Sequence, residues 1–99
     1  MFYITKPSEL NPLLEALNDS KLKHVGVDTE FMRTTHYYPV LSIIQLALND
    51  IVYIVDAIAV DAKPVIEKLA EREDCIKIFH SGRQDMESFF YNYGILLTG

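Results

Sequence analysis

Apolar residues recur along this chain with two distinct periods. Leu10, Leu13, Leu14 and Leu17 fall at i, i+3, i+4 and i+7, the stripe of an amphipathic helix. Ser8 stands where an N-cap would, and Pro12 lies in the first turn or so, where a missing N–H costs little. Ala62, Val65, Ile66 and Leu69 predict a second helix. Met86, Phe89, Phe90 and Tyr93 predict a third, opened by Gly82 and closed by Gly94. Strand-like runs lie between them. Phe2 to Thr5 reads as a short edge strand. Lys23 to Phe31 alternates, with Val25, Val27 and Phe31 on one side and His24, Gly26, Asp28 and Glu30 on the other. Val40 to Leu48 is apolar on both faces, as a central strand would be. Asn49-Asp50 then predicts a tight hairpin into Ile51 to Val55. Cys75 to Phe79 reads as a further short, buried strand. Thr34 to Pro39 reads as a loop, because a residue before proline is pushed towards extended geometry.

The order strand, helix, strand, hairpin, helix, strand, helix predicts an α/β layered domain. Its sheet should be mixed: an antiparallel meander, then a crossover helix into a parallel strand. Ninety-nine residues are enough for one modest core, so residues 1–99 are read as one unit.

Charge sharpens the picture. Nine Lys plus Arg against fourteen Asp plus Glu give a net charge of −5. A chain that held nucleic acid by bulk charge alone would be basic. If this one handles nucleic acid, something else must neutralise phosphate, and a metal ion is the obvious candidate. Cys75 is the single cysteine, so no internal disulfide can form, and a reducing, cytoplasmic setting is expected. Met1 to Pro7 shows no basic stretch leading into an apolar run, so no secretory signal is expected. No apolar run approaches the roughly 18 residues of a membrane span.

Two places carry candidate chemistry. Asp28 and Glu30 lie two apart on a strand, so both carboxylates project from one face, about 6.5 to 7 Å apart along it. Like charges in a partly dry site repel unless a cation or a proton lies between them. Hard oxygen ligands of this kind suit Mg²⁺ or Mn²⁺. The bland alternative is a strand end whose carboxylates face water. The second place is Phe79-His80-Ser81-Gly82-Arg83-Gln84-Asp85, where Asp85 falls in the first turn of the third helix. The helix dipole alone could account for it. If the Cys75 to Phe79 strand lies beside the strand of Asp28, however, three carboxylates converge.

Together, Asp28-Thr29-Glu30-Phe31, Arg33, Tyr37-Tyr38-Pro39, Ile44-Gln45-Leu46, Asp56 and Phe79 to Asp85 closely resemble ribonuclease D. That family of 3′–5′ exoribonucleases belongs to the DEDD superfamily and has a ribonuclease-H-like fold. The resemblance implies that Asp28, Glu30 and Asp85 are catalytic metal ligands for two Mg²⁺ or Mn²⁺ ions. It also implies a single-stranded RNA 3′ end as substrate, of the kind trimmed in tRNA processing. In the family, a third motif, Tyr-x3-Asp, supplies a fourth carboxylate and a tyrosine that positions water. These 99 residues contain no Tyr-x3-Asp; His24 to Asp28 has the related His-x3-Asp spacing but reuses Asp28. The expectation is therefore the N-terminal part of an exonuclease domain, truncated at its C-terminal side, with weak or no activity alone. A different class of reading makes it an inactive remnant or assembly piece that needs a homo-oligomer or a complementary C-terminal chain. A third, an unrelated acidic metal-dependent hydrolase, would keep Asp28 and Glu30 and dispense with Asp85.

Substrate contacts are expected from Phe31, by stacking on a base, and from Arg33, with His36, Tyr37 and Tyr38 in the same loop. His80 and Arg83 flank Asp85, and Arg83 could hold phosphate at a helix N-terminus. Phe31 could equally be core. Gln45, inside an apolar strand, is expected to be buried and hydrogen-bonded. Cys75 is expected to be a small buried residue. The run Glu67, Lys68, Glu71, Arg72, Glu73 and Asp74 is expected to be a solvated helix end. No Gly-rich phosphate loop, Cys/His zinc pattern or Gly-x-Ser-x-Gly elbow is present.

Overall fold

Alternation of buried and exposed positions in the strands fixes which face of the sheet the helices cover. The structure is a computed structural model and describes residues 1–32 and 40–79. The expected Thr34 to Pro39 loop and the expected helix from Gly82 to Gly94 lie outside the described residues. Among the described residues, five strands form one sheet: β1 (Phe2–Ile4), β2 (His24–Met32), β3 (Val40–Leu48), β4 (Ile51–Asp56) and β5 (Ile76–Phe79). Their spatial order is β1-β4-β3-β2-β5. β3 is central and pairs antiparallel with β2 and β4; β1 pairs parallel with β4, and β5 pairs parallel with β2. β3 therefore runs against the other four strands. This is the mixed sheet expected from the element order.

Helices α1 (Leu10–Leu17) and α2 (Lys63–Glu71) follow β1 and β4. Leu10, Leu13 and Leu17 of α1 and Val65, Ile66 and Leu69 of α2 are buried in one cluster with Val25, Val27, Ile44, Leu46 and Val55 of the strands. Apolar burial of this kind contributes about 25 cal/mol per Å² and is the main term holding the layers together. Both helices thus cover one face of the sheet. On the other face Ile76 and Ile78 are 63% and 56% exposed, so β5 is not the buried strand its apolar run predicts: the helices cover only the face that carries Lys77. Among the described residues, no helix is long and apolar enough to cross a membrane.

Ser8 does not cap α1. A 3-10 turn at Pro7–Glu9 leads into the helix, and the Glu9 carboxylate accepts hydrogen bonds from the backbone N–H groups of Thr5 and Lys6, each at 3.0 Å. These bonds hold the Glu9 carboxyl below its ordinary pKa, the bond from Thr5 being the largest cause. The acceptor that ties down the approach to the helix therefore comes from inside the turn, one residue after Ser8. The hairpin forms as expected, with Leu48 opposite Ile51 and Asn49 in the left-handed region at φ 55°. Cys75 is buried, its Sγ donating to the Leu22 carbonyl at 3.0 Å. Arg72 is the exception to the expected solvated helix end: its side chain is only 12% exposed and is bonded throughout.

Candidate active site at the carboxyl ends of the parallel strands

In open α/β sheets, ligands bind outside the carboxyl ends of the parallel strands. Asp28 and Glu30 lie in that half of β2, on the face the two helices leave open, because Val25 and Val27 occupy the core face. Asp28 is half-buried, and its Oδ1 accepts a hydrogen bond from the backbone N–H of Thr29 at 2.9 Å. Glu30 is exposed. Two residues apart on the strand, their Cα atoms are about 6.5 to 7 Å apart. Among the described residues the ion pairs are Lys68–Glu71 and Arg72–Asp74, neither of which touches this site.

Beside Asp28 lies an open depression of about 380 Å³, lined by Gly26, Val27, Asp28, Gln45, Ala47, Ile78 and Phe79. Gly26 keeps its floor low: a Cβ there would meet Ala47 Cβ at 3.4 Å and stand in the depression. Gln45 is the register partner of Asp28 across β2 and β3. It is exposed, not buried as its apolar setting predicts. The reason is that β3 has a covered and an uncovered face, and Gln45 is on the uncovered one. A larger hollow, between α1 and α2 and lined by Asn11, Glu15, Glu67 and Glu71 among others, lies on the helical side of the sheet.

The same end of the sheet carries two further polar devices. Glu30, Ile43 and Asp56 form one register row. The Asp56 carboxylate accepts from the N–H groups of Ile58 and Ala59, both at 3.0 Å, and so closes the turn after β4. Between β2 and β3 the register shifts at Glu30/Phe31, leaving Ser42 as an extra residue on β3. Neither Ser42 nor the exposed setting of Gln45 is visible from composition. A trace of the bulge exists in the sequence, since the buried Leu41 and Ile44 are three apart, not two.

Asp28 and Glu30 are thus brought to one face as the alternation predicts. Phe31 pairs through its backbone with Leu41. β5 does lie beside β2, with Phe79 opposite Val27. Arg33, His80, Arg83 and Asp85 lie outside the described residues, as do His36, Tyr37 and Tyr38. Among the described residues, no group of three or more His, Cys, Asp or Glu side chains is gathered for a metal ion. The pair itself suits a hard divalent cation. It offers oxygen donors only, one carboxylate is half-buried and oriented by a backbone bond, and open space lies beside it.

Comparison with known proteins gives this arrangement a context. The profile of the 3′–5′ exonuclease family matches residues 1–99. A ribonuclease D from Nitrobacter hamburgensis is 40% identical over 98 residues, covering 97% of this chain and 25% of the relative. The crystal structure of Escherichia coli RNase D, an exoribonuclease involved in structured RNA processing, superposes with a TM-score of 0.82 at 32% identity, over 97% of this chain and 25% of that one. Trypanosoma brucei RNase D in complex with RNA U12 shares the fold, with a TM-score of 0.78 at 18% identity over 94% of this chain and 34% of that one. The chain spans about a quarter of the length of the curated relatives it matches. Its mixed sheet is the ribonuclease-H-like one of these exonuclease domains. With its profile match running from the first residue to the last, the chain belongs to the 3′–5′ exonuclease family and resembles its ribonuclease D members.

Proposed function

We propose that this chain supplies the first carboxylates of a two-metal site that hydrolyses the terminal phosphodiester of RNA from its 3′ end. The observation that carries the reading is the placement of Asp28 and Glu30. They share one open face at the carboxyl ends of the parallel strands, with no lysine or arginine among the described residues paired to either. Asp28 and Glu30 would hold Mg²⁺ or Mn²⁺, joined by Asp85 on the strength of the family pattern. When bound, such ions polarise the phosphodiester and stabilise charge on the attacking and leaving oxygens. The chain's own groups do the rest. The Thr29 N–H holds the Asp28 carboxylate in one orientation, and Gly26 leaves room for the substrate beside it. The Gln45 amide, level with Asp28, offers a donor and an acceptor to the nucleotide. Phe31, Arg33, His80 and Arg83 belong to the substrate side by the same pattern. A net charge of −5 makes bound cations the means by which the surface accepts phosphate.

With no Tyr-x3-Asp in these 99 residues, we expect slow turnover by the isolated chain, since losing a ligand or a water-positioning group costs 10²-fold or more. A second reading is favoured by the exposed Ile76 and Ile78 on the edge strand β5. On that reading the chain is an assembly piece whose site is completed by a complementary C-terminal chain or a second copy, and size exclusion would return a defined oligomer.

The test uses Mn²⁺ binding, read by electron paramagnetic resonance, and shortening of a 5′-labelled single-stranded RNA. Asp28→Asn is expected to weaken Mn²⁺ binding at least about tenfold and to abolish any one-nucleotide ladder the wild type gives. Equal Mn²⁺ affinity in the two proteins, or an undiminished ladder from Asp28→Asn, would overturn the reading.

A further inference from the structure

Among the described residues, the one irregularity in the sheet's register falls beside Glu30. Between Gly26 and Glu30, β2 pairs in step with β3, ending at Glu30 opposite Ile43; the next pair is Phe31 with Leu41, so Ser42 has no partner in the ladder. An extra residue of this kind bends its strand, increases the local twist and re-aims neighbouring side chains. Left without support, it would also be a place where the register could slip. Here it is held on both sides. The Ser42 hydroxyl donates to the Glu30 carbonyl at 3.0 Å, and the Ser42 carbonyl accepts from the Ala57 N–H, just past β4, at 2.9 Å. The turn that presents Ala57 is in turn closed by Asp56. A single serine therefore connects the backbone of Glu30 to the end of β4 across the central strand.

We infer that Ser42 is a positioning residue for the metal site, its hydroxyl fixing the backbone of Glu30 and so the placement of the Glu30 carboxylate relative to Asp28. The inference rests on the reading of Asp28 and Glu30 as metal ligands. Its physical basis is the geometry of coordination. Mg²⁺ and Mn²⁺ sites are sensitive to small shifts of their oxygen ligands, and groups that orient a ligand commonly change metal affinity 10- to 100-fold when removed. Ser42 acts on the ligand's backbone and not on its carboxylate, so the lower end of that range applies. The hydroxyl is what matters, because a residue at the bulge without one leaves the Glu30 carbonyl without this donor.

The experiment is an Mn²⁺ titration of the wild type, Asp28→Asn, Ser42→Ala, Ser42→Thr and Ser42→Val, with the melting temperature of each measured alongside. Thr and Val have nearly the same volume and differ in the hydroxyl, so their comparison decides the matter even if Ser42→Ala melts below the assay temperature. The expected result is that Ser42→Ala and Ser42→Val weaken Mn²⁺ binding about tenfold, while Ser42→Thr stays within about twofold of wild type. A residue with a merely structural role would lower the melting temperature and leave the Mn²⁺ affinity of the folded protein unchanged. If Ala, Val and Thr all bind Mn²⁺ like the wild type while Asp28→Asn does not, the positioning role is overturned and the metal site stands. If Asp28→Asn itself binds Mn²⁺ like the wild type, the metal-site reading fails and takes the inference with it.

Discussion

Each of the five N–H donors of Arg72 has an acceptor. Nε and one Nη2 proton go to the two carboxylate oxygens of Asp74 at 2.9 Å, Nη1 to the carbonyls of Leu17 and Asp19 at 2.6 and 2.9 Å, and Nη2 also to that of Leu22 at 2.8 Å. Only a planar guanidinium reaches all of these at once. Arg72→Lys is therefore expected to destabilise the fold by roughly 2 to 3 kcal/mol, read as a lower urea midpoint, because it leaves carbonyls short of donors. The same fork holds the Asp74 carboxyl at about 2, below its ordinary 3.8, and raises the Arg72 pKa in return. A lowered carboxyl pKa contributes stability above the unfolded value and loses it as pH falls through the folded one. The gap in urea midpoint between wild type and Asp74→Asn should thus be widest above pH 4 and close as pH falls towards 2. Asp74 is exposed, so the gap should also shrink in high salt.

At the scale of elements, the β3–β4 hairpin depends on Asn49 at φ 55°, a conformation that asparagine and glycine tolerate and β-branched residues do not. Asn49→Val should cost about 1 to 2 kcal/mol in chemical denaturation, and Asn49→Gly close to nothing. This turn was legible in advance because turn chemistry is local. So were both helices of the described residues, since Leu10, Leu13, Leu17, Val65, Ile66 and Leu69 are the positions they bury. Several features were not. Ser8 looked like a cap, but the choice between Ser8 and Glu9 depends on how the 3-10 turn presents Thr5 and Lys6. Gln45 looked buried because a strand apolar on both faces does not reveal which face the helices cover. Arg72 looked solvated because its partners, the carbonyls of Leu17, Asp19 and Leu22, lie 50 to 55 residues away. Asp28 and Glu30 were legible as a pair because period-2 alternation needs no knowledge of the rest of the fold.

Across the whole molecule, the described structure has two unlike sides. One face of the sheet is sealed by α1 and α2, and the other carries the carboxylates, Gln45 and the exposed isoleucines of β5. The contacts of Arg72 and Cys75 gather at the starts of β2 and β5, where the Ile76 N–H also donates to the Lys23 carbonyl at 2.8 Å. Such contacts close a loop of about fifty residues, as a disulfide would in a chain with a second cysteine. In native-state hydrogen exchange, the amides of Leu22, Cys75 and Ile76 should open only with global unfolding, and they should exchange faster in Arg72→Lys. The Asp28 and Glu30 carboxylates lie towards the opposite end of β2. β2 is therefore a beam clamped at one end and open at the other. Substitutions at Asp28, Glu30 and Gln45 leave the clamp untouched, so the open face and the folding core are free to drift separately over evolutionary time.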